Sequence, residues 1–225
     1  MLGLIIAGVL LVGVLLAYLS YLAEKRRREA LAAYAAGRGW SYTAADPALT
    51  RRFAGDPFGR GFGRRATNVI RGTHLDRRFT AFDYRYKERH GNGKESRTVT
   101  YRYCLTVVEL GVWTPGLVVD PENFLERFAG RLFNTDIELE SEDFNRAFRI
   151  NSPDRRFASA VLHPRMMEHL MRFTEIAWRF EGDAMLLVED GEYDPTGIDA
   201  RLGVMDSILD LVPEFLWQEL KEGRA

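Results

Sequence analysis

The chain has 225 residues, with 31 Lys or Arg against 32 Asp or Glu, 46% hydrophobic and 28% charged residues, 8 Pro and one Cys. That balance excludes a disordered polar chain, the lone Cys104 excludes an intrachain disulfide framework, and a net charge near zero argues against nucleic acid as a partner. What it allows is one globular domain with its own core.

The first element is a run of 22 residues without a charge, LGLIIAGVLLVGVLLAYLSYLA, from Leu2 to Ala23. As a helix it covers roughly 33 Å at about 1.5 Å per residue, against a hydrocarbon core of about 30 Å. The sequence therefore predicts a transmembrane helix over residues 1–23. A cleaved signal peptide needs a basic start and a small-x-small site after the apolar run, and neither is present. Lys25-Arg26-Arg27-Arg28 follow the span, so the positive-inside rule places the C-terminal domain in the cytosol, as a single-pass protein of the cell membrane. The pairs Gly3/Ala7 and Gly13/Ala17 have the small-xxx-small spacing of a helix dimerisation face.

A juxtamembrane helical stalk is predicted over residues 24–37, because REALAAYAA is rich in strong helix formers and Gly37-Arg38-Gly39 stops it. The globular domain is predicted over residues 38–225. Trp40 to Thr43 reads as a strand, and Asp46-Pro47 places an N-cap ahead of a short helix through Phe53. The Gly-rich turn PFGRGFG follows. Phe79 to Lys87 and Thr98 to Leu110 form the clearest antiparallel pair, joined through His90-Gly91-Asn92-Gly93. Alternation along the second strand sets Tyr101, Tyr103, Leu105 and Val107 opposite Thr100, Arg102, Cys104 and Thr106, which predicts a half-exposed sheet.

Further along, Leu117 to Val119 reads as a strand, and a helix is predicted with Phe124, Leu125, Phe128 and Leu132 on it. Asp136 to Glu140 and Phe148 to Ile150 read as strands, and Ala158 to Arg172 as a helix broken or begun at Pro164. A second hairpin is predicted from Ile176 to Val188, turning at Gly182-Asp183. Asp199 to Glu219 is amphipathic, with a kink or restart at Pro213. Hairpins interleaved with helices, without regular strand-helix alternation, make the fold class α+β.

The stretch from Asp136 to Ile150, with Asp154, Phe157-Ala158 and VLHPRMMEHL, resembles a segment of uncharacterised bacterial membrane-anchored proteins, domains of unknown function. The early RGW at Arg38 to Trp40 and PFGRG at Pro57 to Gly61 resemble them too. The resemblance implies that anchor and domain belong together; it brings no activity, cofactor or catalytic residue. An almost all-Arg basic complement, with Lys only at 25, 87, 94 and 221, suits a high-GC bacterial genome.

Charge is uneven along the chain. Residues Glu24 to Arg78 hold 13 Lys or Arg against 5 Asp or Glu, and the rest holds 18 against 27. Arg26, Arg27, Arg28, Arg51, Arg52, Arg60, Arg64 and Arg65 are therefore candidate contacts to anionic lipid of the bilayer. The competing reading is that acidic residues of the distal part neutralise them within the fold. Gly59, Gly61 and Gly63 lack the strand-before, helix-after context of a phosphate loop and read as a turn. Asp136, Glu138 and Glu140 alternate on one strand face, yet Ser141 and Ala147 stand where an EF-hand needs Gly and Glu, so an acidic face paired with nearby arginines is expected instead of a metal site. His163 and His169 are six apart and share no helix face, and Cys104 has no nucleophile motif. No catalytic residue, cofactor or metal is assigned. The expected function is a non-enzymatic binding or scaffold module at the inner leaflet, with an unidentified protein partner. A membrane-tethered enzyme with an unrecognised site and an anionic-lipid-sensing domain are the alternatives.

Overall fold

A computed structural model describes residues 2–91, 96–122 and 136–223. Its first element, α1 (Leu2–Gly37), is one unbroken helix of 36 residues. No Pro interrupts it, and the chain leaves it through Gly39 at φ +70. Among the described residues it is the one helix long and apolar enough to cross a membrane. Leu10, Leu11 and Val14 stand 65–70% exposed, so the domain does not cover the apolar part. Its last turns differ: Leu31 and Ala35 are fully buried in the core of the domain. The stalk is therefore packed where the domain begins, and burying Leu31 alone stabilises that contact by about 2 kcal/mol.

Among the described residues, seven antiparallel strands form one sheet: β1 (Ser41–Ala45), β2 (Phe62–His74), β3 (Arg77–His90), β4 (Arg97–Pro121), β5 (Asp136–Ile137), β6 (Phe148–Asn151) and β7 (Ala177–Asp190). Their order is β1-β2-β3-β4-β6-β5, and β7 also pairs with β4. With the helices α2 (Glu142–Ala147), α3 (Arg155–Val161), α4 (Pro164–Leu170), α5 (Gly197–Leu209) and α6 (Glu214–Lys221), the fold is α+β. Local rules set several boundaries. Asp46 accepts from the Ala48 amide ahead of a 3-10 helix at Pro47–Arg51, Asp154 caps α3, and Pro164 opens α4 after His163. Pro213 separates α5 from α6, since it cannot continue the first.

The middle of the sheet is covered on both faces, which corrects the half-exposed reading for Cys104 and Thr106, whereas Arg102, nearer the start of β4, is exposed as that reading has it. Cys104 and Thr106 are 1% and 0% exposed, because Tyr193 and α5 lie over them. The helices, Leu31 and Ala35 pack on this inner face with Ile70, Phe79 and Ala81. On the outer face Leu49, Phe53 and Phe58 pack with Phe82, Tyr84, Tyr103 and Leu105.

Four further elements depart from the sequence reading. β2 was not expected; it joins β3 through Leu75 and Asp76, both left-handed at φ +44 and +64. β4 is one strand of 25 residues, with register shifts between Glu109 and Leu117 instead of a break. β7 also runs straight through Gly182, so the predicted turn is a bulge: Gly182 at φ +63 lies opposite Thr114, whose hydroxyl donates to its carbonyl at 2.8 Å, with the Trp113 ring against its Cα. The strand expected to reach Glu140 stops at Ile137, because Asn145 binds both backbone groups of Leu139 and Ser141 caps α2. The predicted helix of Phe124 to Leu132 and the turn residues Asn92 and Gly93 lie outside the described residues.

Candidate functional site

The inner face of β3 reads Phe79, Ala81, Asp83, Arg85, Lys87, Arg89, so it changes from apolar to charged along its length. Helix α1 runs beside this face in the opposite direction. Trp40, just past the helix, meets Phe79 edge-on at 4.8 Å between ring centroids. Its indole also lies on Gly72, where any side chain would overlap it. Thirteen residues back toward the apolar span, the Arg27 Nη1 donates to Asp83 Oδ2 at 2.8 Å.

Asp83 is 5% exposed and its carboxylate is fully engaged. Asn68 Nδ2 donates to it at 2.7 Å and the Tyr193 amide at 2.8 Å. Asn68 in turn accepts from the Tyr42 hydroxyl at 2.8 Å and holds the β2 bulge at φ +52, a conformation Asn tolerates. Arg27 also donates to the Tyr193 carbonyl at 3.2 Å and lies 3.5 Å from Glu192. This set of donors gives the buried carboxylate the hydrogen bonds it lost to water, and the arginine that completes the set belongs to the anchor helix.

Past Asp83, β3 continues through His90, a run of about 23 Å at ~3.3 Å per residue, on the side where α1 becomes apolar. The helix there stands uncovered, so helix and strand fork. A cleft of about 480 Å³ opens at the fork, lined among others by Glu24, Arg27, Arg28, Asp83, Arg85 and Arg102. Register places Arg65, Arg85 and Arg102 directly opposite one another on three adjacent strands. Glu192 lies 3.2 Å from Arg102. Arg65 and Arg85 have no ion-pair partner among the described residues.

The sequence-derived arginines separate into groups. Arg51, Arg64 and Arg65 come together around a second pocket of about 620 Å³ beside the 3-10 helix. Arg60 instead reaches Glu88 at 3.0 Å and Asp56 at 3.5 Å, while Arg52 lies over the Phe53 ring. Arg28 pairs with Glu24 at 2.9 Å, Arg26 is exposed, and Arg27 is the partly buried latch. Sequence reasoning missed Asp83, Arg85 and Arg102. The signal was present for Asp83: an acid at an apolar position of an alternating strand marks a buried partner.

Other polar groups are structural. His163 Nδ1 accepts from the Met166 amide and its Nε2 meets the Leu211 carbonyl, while His169 meets Ser207 at 2.8 Å, so both tie α4 to its surroundings. Burial pushes the Cys104 thiol up to about 12, leaving it protonated and inert at neutral pH. Arg179 is buried and donates to the Asp56 and Ala54 carbonyls at 2.7 and 2.8 Å, pinning the loop that covers the outer face. Near it, burial pushes the Asp120 carboxyl up to about 6 against the pull of Arg179. Glu138 and Glu140 are exposed, and among the described residues no three His, Cys, Asp or Glu gather as metal ligands.

Among solved structures, the crystal structure of the mycobacterial trehalose monomycolate transport factor A is similar, with a TM-score of 0.57 at 15% identity over 84% of this chain and 95% of that one. At that identity the likeness is one of fold. No curated protein matches the sequence. The fork and both pockets are built mainly by residues before position 116, as are the RGW and PFGRG stretches. Residues 116–193, from the distal half of β4 through β7 to Tyr193, match the family described as a protein of unknown function, DUF3137.

Proposed function

We propose that the chain is a membrane-tethered, non-enzymatic binding module whose domain works at the inner leaflet, on the cytosolic side. One observation carries this reading: a single helix is uncovered and apolar at one end and part of the domain's core at the other, through Arg27, Leu31 and Ala35. A flexible tether only keeps a domain nearby, whereas a helix built into the core also sets which end of it faces the bilayer. The basic flank Lys25, Arg26 and Arg28 supports the cytosolic side. The fold shared with a protein named as a transport factor favours a non-enzymatic role over a reaction on a soluble substrate.

The test is extraction and topology together. The full chain should stay in the membrane at alkaline pH. A cysteine at exposed Ser41 should resist a membrane-impermeant maleimide in intact cells and react after lysis, with Cys104 silent because it is buried. Release at alkaline pH contradicts the tether, and labelling in intact cells contradicts the cytosolic side.

A further inference from the structure

The fork has two prongs, the apolar helix and the strand arm formed by the ends of β2, β3 and β4. When α1 enters a bilayer, the arm lies against the surface of the same leaflet, and the face of the arm that meets it is the one looking toward the helix. That is the inner face, because α1 packs on it through Leu31, Ala35 and the contact of Arg27 with Asp83.

Register and alternation define what this face carries. Arg65, Arg85 and Arg102 form one row across the arm, Phe62 and Lys87 the next, and Arg89 with Thr98 a third. Arg65, Arg85, Lys87 and Arg89 have no ion-pair partner among the described residues, and Phe62 is 48% exposed. Like charges directly opposite one another across strands repel, so this row is unfavourable in water and is relieved by anions. An exposed aromatic ring among cations suits the boundary between headgroups and acyl chains. The same arm is covered on its outer face, where Tyr86 stacks on Tyr101 and Tyr103 at 5.1 and 6.0 Å. The open basic face is therefore the one that the anchor turns toward lipid.

We propose that the inner face of this arm, through Arg65, Arg85, Lys87 and Arg89 with Phe62, docks on the anionic phospholipid headgroups of the leaflet from which α1 emerges. The occupant is a lipid surface and not an acidic protein, because the anchor itself brings the bilayer to this face. The inference rests on the tethered reading above. It replaces most of the arginines singled out from sequence: Arg65 is kept, whereas Arg27, Arg28 and Arg60 have carboxylate partners within the fold.

The experiment uses the full chain in lipid nanodiscs, either of phosphatidylcholine alone or with phosphatidylglycerol added. A fluorophore sits at a Thr98→Cys substitution on the arm, or at Ser159→Cys on the far helix α3 as a control. A headgroup-level spin-labelled lipid should quench the arm probe in anionic discs and much less in neutral ones, and raised salt should reduce the quenching. The control probe should stay in water throughout. Each cation neutralised in an Arg85→Gln/Lys87→Gln/Arg89→Gln variant should lower the ratio of docked to undocked protein about fivefold. The substituted side chains lie in the exposed arm, so the variant should melt like the parent, and the melt is measured alongside. Equal quenching in neutral and anionic discs, or full quenching in a folded triple variant, overturns the proposal. Failure of the parent chain to enter discs at all contradicts the tether, and docking with it.

Discussion

Arg27 and Arg85 line the same cleft on either side of Asp83, yet their surroundings differ. Arg27 meets a buried carboxylate already held by Asn68 and Tyr193, and joins helix to sheet. Arg85 faces two other arginines across its strands and has no carboxylate partner among the described residues. At the opposite end of the domain, Arg77 is bound between Asp206 and Asp210, and Arg38 to Asp199. The comparison teaches that a count of arginines along a sequence mixes two populations. Those with fixed carboxylate partners hold the fold together, and those without are available to something outside it.

The comparison breaks first at Asp83. Replacing it by Ala leaves Arg27, Asn68 and the Tyr193 amide without their acceptor, and should destabilise the domain by about 3–5 kcal/mol. Denaturant unfolding measures this. Next comes the packed end of the helix, where Leu31→Ala should cost about 2–4 kcal/mol. A fragment starting at Glu24 should accordingly unfold cooperatively at higher denaturant than one starting at Arg38, and equal midpoints would place the stalk outside the folding unit.

A smaller effect is expected at Asp120, where an acid is half-buried near an arginine and still disfavoured as a charge. Its folded pKa, about 6, lies above the unfolded value, so the folded state binds more protons between the two. Stability from this group is complete below about pH 4 and is lost as pH rises through about 6. Asp120→Asn should flatten that part of the stability profile and raise stability at pH 7 by on the order of 2 kcal/mol. The smallest change is expected on the arm. Arg85→Gln and Arg89→Gln should each alter stability by less than about 0.5 kcal/mol, which separates the two populations of arginine directly.

Much of the fold was legible because its signals are local. The span, the Pro164 and Pro213 boundaries, the Asp46-Pro47 cap and the alternating cores of β3 and β4 each follow from a few neighbouring residues. β2 was not legible, because its buried residues Ala66, Val69 and Ile70 are thrown out of period two by the bulge at Asn68. Gly182 misled for a related reason: left-handed glycine serves bulges as well as turns, and only the facing Thr114 and Trp113 decide between them. At the fork, Arg64 and Arg65 were visible as part of a basic run. Arg85, Lys87, Arg89 and Arg102 were hidden, because they lie in the acidic part of the sequence and alternate with tyrosines. Strand register, which composition does not encode, sets them beside Arg65.

The central claim is that the anchor is part of the domain, so that the fork has one fixed orientation on the bilayer. Hydrogen exchange of the full chain in nanodiscs tests it most directly, at the amides from Arg27 to Ala35. These should exchange as slowly as those of β3 and slow or quicken together with it when Asp83 is replaced by Ala. Exchange as fast as that of an isolated helix, unaffected by Asp83→Ala, would contradict the account and leave α1 a flexible tether.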